Sequence, residues 1–87
     1  MSKEKQPGAY LLRCADGSLY AGWTNDIEQR LLCHNRGRGS KYTRSRLPVT
    51  LAYWKECADR SEAMQLEARL KQMSRAQKLA LIEHNSV

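Results

Sequence analysis

Two runs rich in apolar residues flank an Asp-Gly dipeptide near the start of the chain. Gly8-Ala9-Tyr10-Leu11-Leu12-Arg13-Cys14 precedes Ala15-Asp16-Gly17, and Ser18-Leu19-Tyr20-Ala21-Gly22-Trp23-Thr24 follows it. This is the pattern of a β-hairpin. Loop length decides which side chains share a face. A two-residue loop puts Tyr10 and Tyr20 on opposite faces, whereas a three-residue loop pairs Cys14 with Ser18, Leu12 with Tyr20 and Tyr10 with Gly22. The three-residue loop is expected, with Gly17 in the left-handed region that glycine tolerates. Gly22, lacking a side chain, then leaves space beside Tyr10.

Beyond the hairpin the pattern turns helical. Asn25 is placed to cap a helix with Glu28 as its capping-box partner, running to about Asn35. The spacing i, i+3, i+4, i+7 from Ile27 collects Arg30, Leu31 and His34, so an arginine and a histidine share the face turned to the sheet. Singly, each reads as a structural residue, an arginine stem covering apolar area and a satisfied helix-end histidine. Together they suggest two donors aimed at one anion. Residues 36–48 read as a Gly/Ser/basic loop. Residues 49–56 then read as a strand with Val49, Leu51 and Tyr53 on one face and Ala52 and Trp54 on the other, the pattern of a central strand covered on both sides. Asp59 or Ser61 caps a helix reaching Gln72 or Met73, with Ala63, Met64, Leu66 and Leu70 as its apolar stripe. Ser74-Arg75-Ala76-Gln77 opens a last helix that offers Leu79, Ala80 and Ile82 for packing. The expected organisation is a disordered tail at 1–7, one domain at 8–83 and a frayed end at 84–87.

With 87 residues the chain makes one small domain, and its thin core excludes a deep, enclosed substrate cavity. At 41% hydrophobic and 28% charged residues it is neither a disordered tail nor a membrane protein. No run approaches the ~20 apolar residues of a membrane span. The polar N-terminus is no secretory signal. Cys14, Cys33 and Cys57 form no C-x-x-C pair, which argues against a disulfide framework or a zinc ribbon; a cytoplasmic protein with reduced thiols is expected.

Charge placement says more than the net +6. Arg36, Arg38, Lys41, Arg44 and Arg46 lie in an acid-free stretch with Tyr42 among them. Arg69, Lys71, Arg75 and Lys78 lie in a second, so nine of the 15 cations fall in two clusters. Either cluster alone could be a solvated face. The pair, with an interleaved aromatic, favours a nucleic-acid surface.

Glu67 is the anomaly of the second helix, because a carboxylate on or beside a buried stripe must be paired, hydrated or metal-bound. A salt bridge to Arg30 or to Lys71 is the plain alternative. Two tyrosines on one strand face, Arg30 and His34 on a helix, one half-buried Glu67 and two basic clusters suit phosphodiester chemistry. A single carboxylate with water fits Mg²⁺, which takes further ligands from substrate phosphates. The metal would neutralise charge at the scissile phosphate while Arg30 supplies fixed donors there, and a tyrosine would orient or deprotonate the attacking water. There is no Walker loop, H-E-x-x-H, G-x-S-x-G or His/Cys metal spacing. Cys33 and His34 point in different directions on a helix and do not form a catalytic pair.

These residues resemble the GIY-YIG nuclease domain family. Gly8-Ala9-Tyr10 looks like the "GIY" element and Tyr20-Ala21-Gly22 like the "YIG" element. Arg30, ten residues after Tyr20, matches the family's phosphate-contacting arginine; His34-Asn35 matches the "H-N" pair, and Glu67 the metal-binding glutamate. Segments such as Arg13–Tyr20, Lys41-Tyr42-Thr43-Arg44 and Arg60-Ser61-Glu62-Ala63 are similar to the small single-domain bacterial, YhbQ-like members. The resemblance runs from Gly8 to about Ile82. It implies an α/β (α+β) fold, a three-stranded antiparallel sheet flanked by helices. It also implies an endonuclease that cuts DNA through one Mg²⁺ or Mn²⁺, with RNA left open as a partner, and that is directed to structure or single strands rather than long sequences, in repair or recombination. Tyr10, Tyr20, Arg30, His34 and Glu67 would be catalytic and Glu67 the metal ligand. Arg36, Arg38, Lys41, Tyr42, Arg44, Arg46, Lys71 and Arg75 would bind the nucleic acid. Ala9 and Ala21 depart from the isoleucines of the name motifs, and Trp23 stands where repair members often have lysine. The alternatives are a nucleic-acid-binding module with a degenerate site, and an interaction protein whose basic face docks an acidic partner.

Overall fold

In the computed structural model, which describes residues 5–85, the hairpin takes the three-residue register. β1 (Gly8–Arg13) pairs antiparallel with β2 (Leu19–Thr24), setting Tyr10 opposite Gly22 and Leu12 opposite Tyr20. Cys14 N–H donates to the Ser18 carbonyl at 2.9 Å, and Gly17 sits at φ +86°. A Cβ at Gly22 would collide with the Tyr10 ring, so only glycine lets that ring lie flat across the neighbouring strand.

β3 (Thr50–Glu56) completes an antiparallel sheet of order β2-β1-β3. The central strand is therefore β1, and β3 is an edge. The run Gly8–Leu12 is buried throughout, whereas Leu51 of β3 is exposed. A continuous apolar run marks a doubly covered strand only where helices cover both faces, and that holds for β1. β3 also carries a bulge: Leu11 pairs with Tyr53 and Leu12 with Leu51, leaving Ala52 as the extra residue. The bulge separates residues expected on one face. Tyr53 joins Ala9, Leu11, Ala21 and Leu70, while Val49 joins Tyr10, Leu12 and Cys14 on the other side.

Helices cover both faces. α1 (Ile27–Asn35) and α2 (Lys41–Arg44) lie on the Tyr10 side, where Ile27 and Leu31 pack. α3 (Arg60–Gln72) and α4 (Arg75–His84) bring Leu66, Leu70, Leu81 and Ile82 to the Leu11 side. The small Ala9 and Ala21 stand beneath α3 and let it approach the sheet closely.

The cap of α1 is Asp26, one residue later than expected. Thr24 Oγ1 accepts from Asp26 N–H at 3.1 Å, and Asp26, in extended conformation, accepts from Gln29 N–H at 3.2 Å. The helix ends in a Schellman motif: Gly37, at φ +78°, donates to the His34 carbonyl, and Arg38 donates to that of Cys33. Residues 41–44, expected as loop, form the single turn α2, because Ser40 accepts from Thr43 N–H at 3.1 Å and caps it. Asp59 caps α3, and Ser74 with Gln77 makes the expected capping box on α4. Met64 is exposed rather than part of the stripe of α3.

At the ends, Pro7 is tied in by its carbonyl, which accepts from Cys57 N–H at 2.8 Å, and α4 continues to His84 with Asn85 as its cap. Residues 1–4 and 86–87 of the expected tails lie outside the described residues. Among the described residues no helix is long and apolar enough to cross a membrane.

Candidate active site

Strand alternation puts Tyr10 on the α1 side of the sheet, and the register carries Tyr20 to the same side. Helix periodicity turns Arg30 and His34 toward them. The two side chains meet on the Tyr10 hydroxyl: Arg30 Nε donates to it at 3.4 Å, and His34 Nε2 lies 3.0 Å from it. Their common target within the protein is thus a phenol. His34 is completely buried, with Nδ1 at 2.8 Å from Thr43 Oγ1. Both ring nitrogens are engaged, so His34 does not present a donor to an external anion as the sequence suggested.

Arg30 is different. Its Nε is used, while its two terminal nitrogens make no hydrogen bond or ion pair among the described residues and remain available as a charged fork. Tyr20 packs its ring edge-on against His34 with centroids 5.4 Å apart, and its hydroxyl has no protein partner among the described residues.

Burial and charge set the protonation states. Burial pushes the Tyr10 phenol above its ordinary value, against the opposing pull of the Arg30 hydrogen bond and charge. Burial, then the Arg30 charge, pushes the His34 imidazole down. At neutral pH the pair rests as phenol and neutral imidazole beside a guanidinium whose own proton is held more tightly by the Tyr10 bond. The Glu67 carboxylate on α3 is near enough to act electrostatically on the same phenol.

Glu67 is half-buried and lies 3.5 Å from Lys71 Nζ, the i+4 pair that the sequence allowed; Arg30 is not its ion-pair partner. No group of three or more His, Cys, Asp or Glu side chains converges on a metal position among the described residues. One hard carboxylate, opposed only by a flexible exposed lysine, nevertheless fits an ion that draws its remaining ligands from water and phosphate oxygens.

The basic residues divide into free and engaged. Arg36, Arg38, Lys41 and Arg44 are exposed, with no side-chain partner among the described residues. Arg46 instead pins the loop: its Nε donates to Asp16 at 3.1 Å and its Nη1 to the Tyr42 carbonyl at 2.7 Å, with the guanidinium 3.9 Å over the Tyr42 ring. Tyr42 stacks on Tyr20 at 5.8 Å. In the second cluster Arg75 donates to the Gly17 carbonyl at 2.9 Å and Lys71 pairs with Glu67. Arg46, Lys71 and Arg75 therefore have structural partners, unlike the four free cations.

Four residues to which the sequence assigned no catalytic or binding role help to hold this arrangement. Thr43 and Ser40 carry the far side of His34, and Asp16 anchors Arg46. Asn35 clamps the head of β3, its Oδ1 accepting from Val49 N–H at 2.7 Å and its Nδ2 donating to the Val49 carbonyl at 3.0 Å. Ser40 followed by Thr43 carries a capping signal, but it is hidden among cations. Trp23 packs on the Leu11 side with the Arg60 guanidinium 5.6 Å from its ring.

Comparison with known proteins places this geometry. The family model described as the GIY-YIG catalytic domain matches residues 6–80. A UPF0213 protein of Bacillus pumilus is 57% identical over 75 residues, covering 85% of this chain and 76% of the relative. One from Oceanobacillus iheyensis is 51% identical, covering 92% of this chain and 93% of its own. Among solved structures, the solution structure of the UPF0213 protein BH0048 from Bacillus halodurans is 38% identical with a TM-score of 0.60, covering 92% of this chain and 85% of the other. Fold, motif order and similarity over nearly the whole length agree, and the chain belongs to the GIY-YIG family, among its small UPF0213 relatives.

Proposed function

We propose that this chain is a metal-dependent endonuclease that hydrolyses phosphodiester bonds in DNA, acting on branched or single-stranded substrates. The observation that carries the reading is the convergence of Tyr10, Tyr20 and the fork of Arg30, beside a loop with four cations that have no partner among the described residues, in a chain of a nuclease family. Arg30 would hold the scissile phosphate, because its guanidinium stays charged and its two terminal nitrogens match the spacing of phosphate oxygens. Tyr20, with an unpartnered hydroxyl, would orient the attacking water, and Tyr10 would stand beside it to receive or return a proton. Glu67 would hold Mg²⁺ or Mn²⁺, which when bound supplies charge neutralisation at the phosphate. Arg36, Arg38, Lys41 and Arg44 would follow the backbone, giving affinity without base reading. A role in repair or recombination follows from substrate preference and belongs to the same proposal.

A second reading, a binding module without cleavage, draws on the Lys71 ion pair, which would keep Glu67 from metal. Purified protein incubated with labelled single-stranded, duplex and branched DNA, and with RNA, in Mg²⁺, Mn²⁺ or EDTA separates the two. Metal-dependent cutting that falls about 10³-fold or more in both Arg30→Ala and Glu67→Ala is expected. Binding by the wild type with no cutting in any metal would select the module.

A further inference from the structure

Behind Tyr10 lies a short line of polar side chains that the reaction outlined above does not use. His34 and Thr43 are each 0% exposed, the buried polar residues among those described. Their hydrogen bonds can be given directions. Arg30 can only donate, so its Nε takes a lone pair of the Tyr10 oxygen. Tyr10 is 1% exposed, and its other polar neighbour is His34 Nε2. Leaving a buried phenol proton without an acceptor is costly, so Tyr10 donates to Nε2 and that nitrogen is unprotonated. The imidazole proton then sits on Nδ1 and donates to Thr43 Oγ1. Thr43 in turn has Ser40 Oγ at 3.0 Å and the Ser40 carbonyl at 3.4 Å to receive its own proton. The chain entering α2 is pressed onto the ring, since a Cβ at Gly39 would collide with His34. Nδ1 therefore has one polar neighbour among the described residues, the Thr43 hydroxyl.

We propose that Thr43 is a positioning residue for the chemistry of Tyr10: by accepting from Nδ1 it holds His34 in the Nδ1–H tautomer and keeps Nε2 as a base facing the phenol. For activity this rests on the nuclease reading. When Tyr10 takes a proton from the attacking water, the phenol O–H bond breaks toward Nε2 and a new one forms from water. The proton ends on His34, and the imidazolium keeps its Nδ1–H bond to Thr43. A histidine in the other tautomer would point a proton at Tyr10 and could accept none from it, its acceptor nitrogen then facing Thr43.

The test uses the whole protein with ¹⁵N-labelled histidine rings, read by long-range ¹H–¹⁵N NMR at neutral pH, with His34→Asn distinguishing the signals of His34 from those of His84. Wild type and Thr43→Ser are expected to show Nδ1 protonated and Nε2 bare; Thr43→Val is expected to lose the single tautomer. In cleavage assays Thr43→Val should lower kcat about 10- to 100-fold at unchanged KM, with Thr43→Ser restoring it. A wild-type Nε2–H tautomer, or an unchanged tautomer in Thr43→Val, overturns the proposal. Should Thr43→Val not fold, the wild-type and Thr43→Ser spectra still decide, since Nε2–H in either overturns it. A wild type that cuts no nucleic acid removes the nuclease reading, whereas the tautomer is measured independently of cleavage.

Discussion

On the α3 side of the sheet, Ala9, Leu11, Ala21, Tyr53 and Leu70 meet without a side-chain hydrogen bond among them. On the α1 side, one residue along the same strand, Tyr10 begins a line of hydrogen bonds through His34 to Thr43 and Ser40, with Arg30 entering from the side. Both faces are buried, but by different means. The first draws on apolar area removed from water, about 1.5–3 kcal/mol for a fully covered leucine side chain. The second contributes little net stability per hydrogen bond, yet leaving one partner unmatched is costly, so its geometry is narrowly specified. Alternation along β1 lets six residues build a support and a site back to back.

Paired substitutions one residue apart test whether the faces separate in this way. Tyr10→Phe keeps the ring and removes the hydroxyl that Arg30 and His34 share. Cleavage is expected to fall about 10²- to 10⁴-fold, with a stability loss of about 2 kcal/mol or less. Leu11→Ala should do the reverse, costing about 3 kcal/mol by denaturant titration while cleavage per folded molecule stays near wild type. Equal loss of specific activity in both would show that the faces are not independent.

A smaller effect is expected at the rim. Arg36→Ala or Arg44→Ala removes a cation with no partner among the described residues, so the fold should melt as before. DNA binding should weaken across sequences, and the slope of log affinity against log salt should drop by about one per residue. The same change at Arg46 breaks the bond to Asp16 and uncovers Tyr42, so its melting transition should drop as well. Identical behaviour of Arg44→Ala and Arg46→Ala in both measurements would contradict the division into free and engaged cations.

The smallest expected effect is on pH. His34 is held below its ordinary 6.5, so below that value the unfolded chain takes up a proton that the folded protein resists. Stability from this face is complete above about pH 6.5 and declines as pH falls toward the lowered folded value. His34→Asn should flatten that limb in melts between pH 7 and 5. The loss tied to Asp16, held below its ordinary 3.8 chiefly by hydrogen bonds from Ser18, lies at still lower pH and should survive.

Several features could be read before any folding, because they depend on spacing alone. Asp-Gly at the turn and glycine at 22 set the hairpin register, and that register puts both tyrosines on one face. The period of 3.6 sets Arg30 and His34 toward them. Other features were hidden because they depend on what lies across space. β3 reads as a central strand from its apolar run, but nothing local reveals that a bulge at Ala52 sends Tyr53 and Val49 to opposite sides. The 36–48 segment reads as a uniform basic loop, although its cations differ. Arg46 finds Asp16 thirty positions away, while Arg44 finds no one among the described residues.

The sequence by itself therefore determined the order of elements, the faces of β1, β2 and α1, and the residue types available for chemistry, since periodicity and turn stereochemistry act within a few residues. Only the tertiary structure decided that His34 faces a phenol rather than solvent, that Thr43 closes the line behind it, and that Glu67 pairs with Lys71 and not Arg30. The Glu67–Lys71 pair lies one helical turn apart with its lysine exposed, whereas the first two depend on which hydrogen-bonding groups are sealed from water together. Burial of that kind arises when helices from distant parts of the chain dock on the sheet.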